Sequence, residues 1–166
     1  RSFSIWDAQG QRVWDSGDAI EQFLASDECL AGAQRNITCA DYFNSGHDEG
    51  SAFDSRSDAK GPEPEGLTLG TLGGKTLLFL GLERMGGILV YDITDPTAPV
   101  MQDYLNSRED WVTEDTESVL ASAGDLGPEG LVFIAASDSP NGKPLLVVGY
   151  EVSGTTAVYE VEVLRD

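Results

Sequence analysis

Apolar residues recur along this chain in short runs, several of them alternating with polar positions, and the runs are bounded by Gly, Pro, Asn or Asp. Their enrichment in β-branched and aromatic residues points to strands. The pattern predicts strands over 3–7, 12–15, 67–69, 76–82, 88–93, 100–105, 131–135, 145–150 and 155–164. Helical periodicity is weak: one short helix is predicted over 19–25, with Asp18 as its N-cap, and a second near 116–121.

The strands repeat in a fixed plan. Pro64-Glu65-Gly66-Leu67 returns as Pro128-Glu129-Gly130-Leu131, each followed by a Gly-containing turn and an apolar strand. Those strands end in Gly81-Leu82-Glu83 and Gly149-Tyr150-Glu151, and a Gly turn then leads to a third strand carrying Val90-Tyr91-Asp92-Ile93 or Val158-Tyr159-Glu160-Val161. Phe3-Ser4-Ile5-Trp6-Asp7 and Gln11-Arg12-Val13-Trp14-Asp15 read as the third and fourth strands of a partial copy.

Consecutive units of this size predict an all-β chain, a β-propeller fragment of about two and a half blades of four-stranded antiparallel sheets. The expected division is a partial blade over 1–17, a loop insertion over 18–60, a blade over 61–105, a second insertion over 106–124 and a last blade over 125–166. A ring is not closed by so few blades, because open inner strands leave apolar faces and edges uncovered. The expected partners are therefore the remaining N-terminal blades of a larger polypeptide or a second chain, and the fragment is not expected to fold alone.

Within a blade, the start of the first strand and the end of the second lie at the same end. That sets Glu65 beside Glu83 and Glu129 beside Glu151, and the topology predicts that all four converge on the propeller axis at one face. Both insertions emerge there too, and connections much longer than about 4–6 residues usually serve as lids or binding loops. Arg56, Lys60 and Arg84 fall near the same motifs as candidate anion-binding residues, whereas Lys143 belongs to a turn on the opposite face.

Composition narrows the partners. Ten basic against 29 acidic residues give a formal net charge of −19, which repels nucleic acid and anionic lipid. No apolar run approaches the roughly 20 residues needed for a bilayer-spanning helix. Cys29 and Cys39 sit in a polar stretch without a His or third Cys at metal-ligand spacing. They read as a loop-closing disulfide of an oxidising compartment, the other reading being two unpaired buried thiols. Asn36-Ile37-Thr38 matches a glycosylation sequon, a triplet too common to carry weight.

At Arg56-Ser57-Asp58-Ala59-Lys60-Gly61-Pro62-Glu63-Pro64-Glu65-Gly66, Gly81-Leu82-Glu83-Arg84-Met85-Gly86-Gly87, Tyr91-Asp92-Ile93-Thr94-Asp95-Pro96 and Gly127-Pro128-Glu129-Gly130-Leu131, the chain resembles the choice-of-anchor I domain family. Ser139-Pro140-Asn141-Gly142-Lys143-Pro144 and Glu151-Val152-Ser153-Gly154 extend the likeness. The resemblance implies a secreted, extracellular or periplasmic, or cell-surface propeller. Its implied relatives are mesenchyme-specific cell-surface glycoproteins and bacterial proteins labelled alkaline phosphatase-like. Where relatives commonly carry Asn before the last motif's Glu, this chain has Tyr150.

Two functions follow as expectations. A metal-dependent phosphoesterase would use Glu65, Glu83, Glu129 and Glu151 to hold a divalent cation, with Arg56, Lys60 or Arg84 meeting the phosphate. Calcium is preferred over magnesium, since it accepts about 6–8 oxygen ligands in flexible geometry and no Cys or His cluster favours zinc. The alternative is a non-catalytic extracellular binding or adhesion module, with the same glutamates bracing neighbouring blades. The single histidine, His47, beside two acids, reads as a solvated loop residue more readily than as a ligand; with no Gly-x-Ser-x-Gly elbow and that one histidine in a loop insertion, a Ser-His-Asp triad is not expected. Trp6 and Trp14 are expected to pack between blades, with Tyr91 and Tyr159 also in the core, and the glycines over 70–74 to form a hairpin turn.

Overall fold

A computed structural model describes residues 1–164, and all but one of the sequence-predicted elements appear in it as strands or the expected short helix. Strands β1 (Ser4–Trp6) and β2 (Arg12–Asp15) form an antiparallel pair. Helix α1 (Ala19–Leu24) follows, then a small hairpin of β3 (Leu30–Ala31) and β4 (Ile37–Thr38). A four-stranded antiparallel sheet comprises β5 (Pro64–Leu72), β6 (Lys75–Leu82), β7 (Ile88–Asp92) and β8 (Val100–Leu105) in sequence order. A three-stranded sheet of β9 (Pro128–Ile134), β10 (Leu145–Tyr150) and β11 (Thr155–Glu160) completes the described chain. The one exception is the element near 116–121, which is a single 3-10 turn, Thr116–Val119.

The chain is thus an all-β propeller fragment: two outer strands, one complete blade and three strands of the next. Strand β6 is apolar from Leu77 to Leu82 because both of its faces are covered there. Leu78, Leu80 and Leu82 join Ile20, Leu24, Met85, Leu89 and Trp111 on one side, while Leu77 and Phe79 meet Leu146, Val148 and Tyr150 on the other. Each such side chain contributes about 1.5–3 kcal/mol by leaving water. The blades approach closely where inner strands β5 and β9 run together. A Cβ on Gly66 would stand 2.1 Å from the Glu129 carbonyl oxygen, and one on Gly70 2.6 Å from the Phe133 ring. Gly70 is therefore a strand residue, and the turn itself uses Gly73 and Gly74 at positive φ.

Two local expectations change. Asp18 precedes α1 but its side chain makes no capping hydrogen bond, because its backbone has turned out of the extended geometry that aims a cap at the helix. Trp6 is 58% exposed instead of packed between blades, whereas Trp14 lies against Phe3 and Tyr91. The insertion over 18–60 carries the expected helix α1 and disulfide, and the Cys29–Cys39 bond ties down its hairpin.

Asp92 closes the end of β7. Its carboxylate accepts hydrogen bonds from the Thr94 hydroxyl at 2.6 Å and the Thr94 amide at 3.0 Å, and pairs with Lys75 at 2.9 Å. These contacts hold its pKa down to about 2. A depressed carboxylate stabilises the fold above its ordinary pKa and loses that contribution as pH falls through the folded value. Asp92→Asn is expected to lower the urea midpoint of the intact protein at pH 6, and the difference from wild type is expected to shrink toward pH 2.

Candidate functional site

The repeat explains how carboxylates come to be gathered at the start of β5 and the end of β6. In both copies the residue before the Pro-Glu-Gly motif adopts a left-handed backbone: Gly127 at φ 70° and Glu63 at φ 55°. Each offers its carbonyl to the amide at the end of the neighbouring strand, Glu63 to Glu83 and Gly127 to Glu151, both at 2.8 Å. Glycine adopts this conformation without cost, whereas a side chain is strained there and persists only when its surroundings hold it.

Glu63 is held by three cations. Its carboxylate is 3% exposed; it accepts a hydrogen bond from Arg84 Nε at 3.0 Å and another from Lys60, and Arg56 Nη2 stands 3.8 Å away. Burial raises its pKa, but the hydrogen bonds and charges of Lys60 and Arg84 outweigh that and keep it below the usual carboxylate value. Arg56, Lys60 and Arg84 are therefore brought together as the sequence suggested, and the anion they surround belongs to this chain. Lys143 pairs with Glu160 at 2.5 Å.

His47 is the largest departure from the sequence reading. It is 5% exposed, not a solvated loop residue. The loop bearing it is pinned by Arg108, whose guanidinium donates to the carbonyls of Gly46 at 2.6 Å and Glu49 at 3.0 Å. The imidazole then faces Glu83 Oε1 at 3.3 Å, Glu151 Oε1 at 3.5 Å and Asp48 Oδ1 at 3.2 Å. Burial and the nearby Arg84 charge lower its pKa against the opposing pull of Asp48 and Glu151, which favours the neutral ring.

Glu83 joins the two halves of the site. It lies with Glu63 and Glu65 in one group and with His47 and Glu151 in another, the potential ligand atoms of each group being within 4.8 Å of one another. Burial, then hydrogen bonding with Glu65, raises its pKa to about 7, while Arg84 at 3.0 Å pulls the other way. Glu129 is exposed on β9 and belongs to neither group among the described residues, so the four expected glutamates do not share one centre. The Glu129 backbone carbonyl instead lies against Gly66 of β5. Sequence reasoning missed Glu63 and misplaced His47. The first was discernible by aligning the repeats, which sets Glu63 opposite Gly127.

The chain is 28% identical over 176 residues to Gigasin-3a of Magallana gigas, a match covering 97% of this chain and 55% of that protein. It thus spans about half the length of this curated relative. No solved structure matches. The family model described as the choice-of-anchor I domain matches residues 1–96, which contain the Glu63, Glu65 and Glu83 motifs and the His47 loop, and with more than half of its length so matched the chain belongs to the choice-of-anchor I domain family.

Proposed function

We propose that this chain is part of an extracellular or cell-surface propeller that binds a ligand at the insertion-covered face without hydrolysing it. The observation that carries this reading is the placement of Arg56, Lys60 and Arg84 around Glu63. A phosphoesterase needs cationic groups free to meet charge developing on the transferred phosphoryl group. Here the buried carboxylate already occupies them, and its removal from water makes exchange for a substrate phosphate costly. The disulfide fits an oxidising compartment.

A divalent cation belongs to this reading, with calcium on Glu65, Glu83 and neighbouring carboxylates as the first ion to test. Further blades of the same propeller, from more polypeptide or from a second chain, complete the ring. Exposed Leu67 and Leu69 on one side and Val132 and Val158 on the other support such coverage.

The competing reading, a metal-dependent phosphoesterase of the alkaline phosphatase-like kind, is separated by assaying the intact protein on a generic phosphomonoester with added calcium, magnesium or zinc and with chelator. No metal-dependent turnover is expected. Turnover that chelation abolishes and metal restores overturns the non-catalytic reading.

A further inference from the structure

We propose that His47, Glu83 and Glu151 form a binding site for a divalent transition metal of the zinc class, oriented by Asp48. The inference rests on the cation reading above but moves the ion and changes its identity.

The position of Arg84 is the first support. Its Nη1 lies 2.7 Å from His47 Nε2 and 3.4 Å from Nδ1. A donor placed along the Nε2 lone pair would be much farther from Nδ1, on the opposite side of the ring. The two distances therefore put the guanidinium over the imidazole face, leaving the in-plane lone pair of the buried histidine free of it. The carboxylates supply the second. Zinc bonds of about 2.0–2.2 Å to nitrogen and oxygen make the edge of a ligand tetrahedron about 3.4 Å. Nε2 stands 3.3 Å from Glu83 and 3.5 Å from Glu151, both on that scale. Calcium bonds, at about 2.3–2.6 Å, want more oxygens and seldom recruit an imidazole.

The surroundings fit as well. Asp48 lies 3.2 Å from Nδ1, where a carboxylate fixes the tautomer that directs Nε2 at a metal. Asp48, Glu83 and Glu151, when ionised, carry three negative charges against the one of Arg84, and a dication brings the group to neutrality. Glu83 and Arg84 are shared with the Glu63 group, whose remaining charges, Glu63 and Glu65 against Arg56 and Lys60, already cancel. Three protein ligands leave a fourth position, and the 46%-exposed Glu151 side chain opens it to solvent. This is the arrangement of a zinc that takes an external ligand, consistent with a binding face.

The test titrates zinc, cobalt and calcium into the metal-stripped intact protein, comparing wild type with Glu151→Gln, His47→Gln and, as a charge-matched control, Glu162→Gln. Melting in chelator verifies that each variant is folded, and half-exposed Glu151 keeps the test valid where buried His47 proves intolerant. Expected are one zinc per chain, a tetrahedral cobalt spectrum, and at least about 10-fold weaker binding in Glu151→Gln, with the control unchanged. Zinc binding equal to wild type in Glu151→Gln overturns the site. Calcium binding without zinc binding overturns this inference and leaves the cation reading standing, whereas no binding of any of these ions overturns both.

Discussion

Arg108→Ala is expected to lower the unfolding free energy of the intact protein by about 3–5 kcal/mol, a melting shift on the order of 10 °C. Arg108 is 1% exposed, and its guanidinium hydrogen bonds among the described residues go to carbonyls rather than carboxylates. Its charge is instead solvated by carbonyls: Gly46 at 2.6 Å, Asp110 at 2.8 Å and Glu49 at 3.0 Å, with the Trp111 ring 4.2 Å from the guanidinium carbon. Burial pushes its pKa down to about 10, which still leaves it charged at neutral pH. Removing it strands three carbonyl acceptors, each costing about 1–3 kcal/mol unless water reaches it, and empties the space against Trp111. Because the carbonyls come from both insertions, the damage is expected to concentrate there. Hydrogen exchange is the discriminating measurement: Arg108→Ala is expected to lose amide protection over 44–51 and 108–113 before the sheets open. Arg108→Lys keeps the charge but not the fork, and is expected to recover only part of the loss. Unchanged exchange in these segments would show that Arg108 does not hold the His47 loop.

The sheets were legible in the sequence for a reason the insertions do not share. Strand signals are local: alternation across β5 and the apolar run of β6 show which residues face a neighbour without reference to distant chain. The repeat then orders the strands into blades. The position of His47 depends instead on contacts between residues 59 and 62 positions apart, Arg108 to Glu49 and to Gly46, and no periodicity in 44–50 announces them. Two neighbouring acids made solvent exposure the simplest expectation for His47. In the fold, Asp48 and Glu49 remain exposed while the histidine turns inward. The glutamates were half legible for the same reason: strand position brought Glu65 to Glu83, but the contact of Glu151 with that pair runs through the insertion's histidine.

Gly66→Ala and Gly130→Ala occupy equivalent repeat positions and test what lies against each inner strand. A Cβ at Gly66 would sit 2.1 Å from the Glu129 carbonyl oxygen and 2.9 Å from Leu131 Cδ1. The first obstacle is backbone, so relief requires β5 and β9 to separate, loosening the Phe79–Phe133 stack at 5.7 Å. Gly66→Ala is therefore expected to destabilise the intact protein by about 3 kcal/mol, at the upper end for overpacking. At Gly130 nothing within the described chain comes within 4 Å of the added carbon, and its φ is not in the positive range. Judged on these residues alone, alanine there gains slightly by restricting the unfolded chain. The proposed further blade reverses that sign, because its inner strand would approach Gly130 as β9 approaches Gly66. Denaturant unfolding of the two variants reads the difference directly: comparable losses are expected, and a silent Gly130→Ala would mean that the outer face of β9 carries no neighbouring blade.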